Sequence, residues 1–112
     1  MKVNFNKPFL NYKGETLQDQ NGNDQLMIDA VCSNLYGSRE LDTPEEKYKA
    51  FQLCNRIAVS KKDIEISSEE AVLIKKVCNA VLIPGAYGQI EELLEGKKDG
   101  NNKRQAENIC TE

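Results

Sequence analysis

Few side chains in this chain are grouped in a way that could do chemistry. They are four cysteines, three adjacent glutamate pairs and one Asp/Asn-rich turn; histidine is absent. Without imidazole, the commonest general base and the usual activator of a Ser or Cys nucleophile are missing. Cys32, Cys54, Cys78 and Cys110 make no C-x-x-C pair, and no histidine completes a zinc site. The first three fall on the apolar sides of predicted helices and read as small core residues. Cys110 lies in a polar stretch and is expected to be exposed. A chain with a sufficient core and no export signal is not expected to need a disulfide framework.

Glu45/Glu46 and Glu69/Glu70 fall in predicted first helical turns, where carboxylates favour the helix dipole. Glu91/Glu92 lie beside an apolar stripe and read as a solvated face. DQNGND places Asp19, Asn21 and Asn23 at alternating positions, as at the start of an EF-hand loop. That pattern then requires glycine where Asp24 stands and a bidentate glutamate where Ala30 stands, so a plain turn is expected. PGAYG has neither P-loop nor dinucleotide-binding spacing and reads as a helix break. Lys75 and Lys76 read as the wet side of a helix. Catalytic residues, cofactors and a metal site are therefore not expected, nor is enzyme activity.

The elements that would position these groups are clearest over 63–96. Ile64 and Ile66 alternate with polar residues, as in a brief strand. Ser67 is an N-cap, and Glu70 can complete a capping box. Ala71, Ile74, Cys78, Val81 and Leu82 form a helical stripe that Leu73 and Val77 widen. Pro84 blocks a straight continuation and suits the first turn of a new helix. That helix carries Ala86, Tyr87, Ile90, Leu93 and Leu94, and Gly96 can end it. Its apolar face either closes the core, the favoured reading, or offers Tyr87, Ile90, Leu93 and Leu94 as an interface.

Upstream, Val3 and Phe5 alternate with polar residues, and turns are expected at Tyr12-Lys13-Gly14-Glu15 and Asn21-Gly22. With Thr16-Leu17-Gln18 returning, this reads as an N-terminal β-hairpin. A helix over 24–36 should be capped by Asn23 or Asp24, ended by Gly37, and buried through Ile28, Val31, Cys32 and Leu35. The next starts from Thr43 as N-cap, Pro44 and Glu46, and buries Ala50, Leu53, Cys54, Ile57 and Ala58, with Tyr48 and Phe51 flanking. No internal sequence repeat is evident. The expected fold is α+β and mainly helical: an N-terminal β-hairpin, about four packed helices and a short additional strand. Residues 1–96 form one domain, and 97–112 a polar, flexible tail.

The chain has 112 residues and a formal net charge of −3, which disfavours a general nucleic-acid binder. No apolar run is long enough to span a membrane, and MKVNFNKPFL lacks the apolar core of a signal peptide.

The opening strand with its glycine turn, EEKYKAFQLCNRI, IEISSEEAVLIKKV and PGAYGQIEELLEG follow one another in an order that resembles a group of small proteins of tailed bacteriophages and prophages, often encoded near virion-morphogenesis genes. The likeness spans 2–96; the cysteines and the tail are not part of it. It implies a non-enzymatic interaction protein, a virion assembly factor or minor structural component, in the bacterial cytoplasm or the virion. The implied partner is a phage or host protein, or a second copy in a homo-oligomer, with no membrane. The alternative is a small regulatory module binding a host protein or nucleic acid through Lys97, Lys98, Lys103 and Arg104.

Overall fold

A computed structural model of the chain describes residues 1–60 and 62–96. Its elements run β1 (Lys2–Val3), α1 (Met27–Gly37), α2 (Pro44–Ala58), β2 (Ile64–Glu65), α3 (Ser68–Asn79) and α4 (Pro84–Glu95). The fold is α+β and mainly helical. The tail expected over 97–112 lies outside the described residues.

β1 pairs antiparallel with β2, Lys2 opposite Glu65 and Val3 opposite Ile64. This turns Val3 inward, and the chain beyond each strand adds Phe5 and Ile66 to the core. The hairpin expected downstream takes a different form. The segments over 8–26 touch through single bridges, Pro8 to Leu26, Leu10 to Thr16 and Gln18 to Asp24. Between them the backbone closes a ring. The Phe9 N–H donates to Gln25 O at 2.8 Å, Gln25 N–H to Leu17 O at 2.9 Å, and Leu17 N–H to Phe9 O at 2.9 Å. Three legs spaced eight residues apart thus satisfy one another's main-chain groups.

The turns joining these legs repeat one geometry, although no sequence repeat is evident. Asn11 Oδ1 accepts from the N–H groups of Lys13 and Glu15, and Asp19 Oδ1 accepts from those of Asn21 and Asn23. Gly14 and Gly22 both take φ +84° and donate to Asn11 O and Asp19 O. Sequence identity between the copies is low because the module needs only an Asx residue and a glycine three positions later.

This module also moves the start of α1. Asn23 and Asp24 belong to the second turn and leg, so they do not cap a helix beginning at Asp24. The helix begins at Met27, with Leu26 as N-cap and no side-chain cap. The Met27 N–H is satisfied instead by Lys7 O at 2.8 Å.

The later caps form as the sequence predicts. Thr43 accepts from the Glu46 N–H ahead of α2, with Pro44 at its first position. Ser67 and Glu70 complete a reciprocal capping box ahead of α3. Gly96 ends α4 at φ +74°. α3 stops earlier than its stripe suggested. Ile83, preceding Pro84, is held extended at ψ 162°, so Val81 falls in the connection and is exposed. Ala58 is also exposed and Cys32 half-buried, while Ala50, Leu53, Cys54 and Ile57 form the inner face of α2. The core joins these to Val31, Ile74, Val77, Ile90 and Leu94, and contains no polar side chain among the described residues.

Candidate functional site

The four residues considered for an interface on α4 divide by depth. Ile90 and Leu94 are fully buried, and Tyr87 and Leu93 are half-buried against the same cluster. The Tyr87 hydroxyl donates to Glu91 Oε1 at 3.1 Å, and burial, then that carboxylate, raises its pKa above the ordinary value. A Lys75–Glu95 ion pair also ties α4 to α3. This helix closes the core and shows only the flanks of Tyr87 and Leu93.

One glutamate of each adjacent pair is engaged in a structural contact: Glu46, Glu70 and Glu91. Arg56 forks onto both carboxylate oxygens of Glu70 at 3.0 and 2.9 Å, and its Nη2 also donates to Glu65 O. The guanidinium holds the Glu70 carboxyl below its ordinary range, helped by the Ser67 N–H. Glu46 pairs with Lys76 at 3.3 Å and is likewise lowered. Asp19 Oδ1 is occupied by turn N–H groups.

These two ion pairs bridge an open groove of about 530 Å³ between antiparallel α2 and α3. Leu53 and Leu73 line it, with Lys49, Gln52, Glu69 and Val72 alongside. Its charged groups are of both signs, so it has no bias toward an anionic or cationic ligand.

The other exposed flank of α2 is aromatic. Phe51 is 45% exposed, Tyr48 61% and Tyr36, at the end of α1, 70%. The Phe51 ring lies 6.2 Å from that of Tyr36 and stacks on Tyr48 at 6.3 Å. Their positions follow from helical periodicity. Tyr48 and Phe51 share a face, three residues apart, that is rotated from the buried Ala50, Leu53, Cys54 and Ile57. The sequence places them beside the buried stripe without revealing Tyr36 as their neighbour. The available signal was the i, i+3 aromatic pair on a helix whose apolar stripe is already complete.

On the seam beneath this patch, the thiols of Cys32 and Cys54 point across the α1–α2 contact. Cys54 Sγ lies 3.3 Å from Cys32 O, and Cys32 Sγ 3.8 Å from Cys54 O. Burial, reinforced by Cys54, pushes the Cys32 thiol up to about 12; burial pushes Cys78 to about 11. Neither is an activated nucleophile at neutral pH. No helix among the described residues is long and apolar enough to cross a membrane.

The class defined by this arrangement is a small α+β, mainly helical domain with an aromatic surface. No protein-family model, curated protein or solved structure matches the chain.

Proposed function

We propose that this protein is a non-enzymatic interaction module of the tailed-phage or prophage type, serving particle assembly as an assembly factor or minor virion component. Its partner is a phage protein with an apolar, hydrogen-bonding surface, met in the bacterial cytoplasm or carried into the virion. The observation that supports this reading is the contiguous Tyr36–Phe51–Tyr48 surface. Tyrosine and phenylalanine supply large contact area at low entropic cost, and Tyr hydroxyls find polar partners at an interface rim. None of the three rings belongs to the buried cluster, so they form an apolar surface facing solvent. The order of segments that resembles small phage proteins supplies the biological setting.

The test combines gene context with a surface variant. The gene is expected among phage morphogenesis genes, and a deletion is expected to reduce particle yield. Complementation with Tyr36→Ser/Tyr48→Ser/Phe51→Ser should fail although the variant folds with the parent's far-UV spectrum. Purified parent, but not variant, should bind a neighbouring gene's product in titration calorimetry. Full complementation by the triple variant would exclude the aromatic surface, and a locus remote from phage genes would exclude the setting.

A further inference from the structure

We propose that Cys32 and Cys54 form a dithiol that a small-molecule disulfide oxidises to an intramolecular disulfide, fastening α1 to α2. Reciprocity is the central observation. Each sulfur reaches the main-chain carbonyl of the opposite cysteine, at 3.3 and 3.8 Å. Each thiol thus lies against the backbone of the opposite cysteine, so the two residues are in direct contact across the α1–α2 seam, the proximity from which a bridge can form. Cys54 is also close enough to help raise the ionisation range of the Cys32 thiol. Access is graded in the useful order: Cys32 is half-buried and Cys54 is 6% exposed. An outside reagent meets Cys32 first, and the protected Cys54 lies ready to resolve the adduct.

The steps balance. Cys32 loses its proton, and its thiolate attacks one sulfur of an external disulfide such as oxidised glutathione. The external S–S bond breaks, one glutathione leaves as thiol after taking up a proton, and a mixed disulfide forms on Cys32. Cys54 then loses its proton and attacks Cys32 Sγ, releasing the second glutathione. Two electrons leave the cysteine pair and reduce one external disulfide to two thiols. Scarcity of Cys32 thiolate makes the first step slow near neutrality and faster with rising pH.

The bond would sit one helical turn from the Tyr36–Phe51 contact. Tyr36 follows Cys32 by four residues and Phe51 precedes Cys54 by three. Closure would fix the two helices that carry the aromatic surface. The inference stands on the thiol geometry and does not depend on the role proposed for that surface.

The experiment uses full-length protein carrying Cys110→Ser, incubated natively with oxidised glutathione and followed by intact-mass and peptide mass spectrometry. The expected product has lost two hydrogens, carries no glutathione, links the peptides of Cys32 and Cys54, and reverts with dithiothreitol. Closure should accelerate by about tenfold per pH unit between roughly pH 7 and 9. The closed form should melt at higher temperature than the reduced form. Cys54→Ser should arrest at a stable glutathione adduct on Cys32. A persistent adduct in the Cys110→Ser protein, pairing through Cys78, closure only in denaturant, or no oxidation even at the upper pH would each overturn the proposal.

Discussion

Gln89 holds both main-chain groups of Leu10, a residue 79 positions away, as a neighbouring strand would. The Leu10 N–H donates to Gln89 Oε1 at 2.9 Å, and Gln89 Nε2 donates to Leu10 O at 2.8 Å. Nε2 also donates to Gly85 O within α4. One amide thus pins the last described helix to the first leg of the N-terminal module. Because Leu10 is exposed enough for water to replace the lost partners, Gln89→Ala is expected to cost about 1 kcal/mol. The Leu10 amide should also exchange faster with deuterium. Unchanged exchange at Leu10 would show that the pairing is not populated in solution.

Glu70 belongs at once to the α3 capping box and to the Arg56 fork. Glu70→Gln keeps a side-chain oxygen for the cap and removes the charge. The pair is partly exposed, so the expected loss at pH 7 is about 0.5–1.5 kcal/mol. The folded-state carboxyl is lowered from its ordinary 4.5. Its contribution is therefore present above that value and lost as pH falls through the lowered folded value. Denaturant midpoints of parent and variant should converge in acid. A gap that stays constant down to about pH 2 would assign the loss to something other than this carboxylate.

Ile90 and Leu93 lie on one helix at different depths, and their truncations should separate core from rim. Ile90→Ala is expected to cost about 2–4 kcal/mol, because a fully buried site leaves a cavity. Leu93→Ala, half-buried, should cost about 1–2 kcal/mol. Urea unfolding measures both. Equal losses, or a parent-like Ile90→Ala, would contradict the placement of α4 as the closing wall of the core.

What the sequence makes legible is what short-range rules govern. Thr43-Pro44 and Ser67 with Glu70 name their helix starts because a cap needs only residues within one turn. Ile90 and Leu94 are found by periodicity alone. The start of α1 is not, because Asn23 and Asp24 are equally good cap residues and turn residues, and the competing use is set by Asp19 and by the ring through Phe9 and Leu17. The aromatic surface needs Tyr36 and Phe51 together, and they meet only when α1 packs on α2. The Cys32–Cys54 seam is hidden for the same reason: periodicity puts each thiol on a packed face but does not say which two faces meet.

The two turn copies give a prediction in which packing is nearly absent. At Gly14 and Gly22 an added Cβ would meet no heavy atom within 4 Å, yet both residues sit at φ +84°. Any cost of alanine there is backbone strain, since an L-residue in this region crowds its own carbonyl. Gly14→Ala and Gly22→Ala should therefore each cost about 1–2 kcal/mol, by nearly the same amount. Gly88 supplies the control. It is exposed in the interior of α4, and a Cβ there also meets open space, but its backbone is helical. Gly88→Ala should stabilise by about 0.5–1 kcal/mol, chiefly by removing freedom from the unfolded chain. Three substitutions of one chemical kind, all into empty space, should thus differ in sign according to φ alone. Thermal and urea unfolding of the three variants beside the parent measures this. If Gly14→Ala is costly and Gly22→Ala neutral, the two turns do not act as equivalent modules. If both are neutral, the left-handed geometry is not maintained in solution.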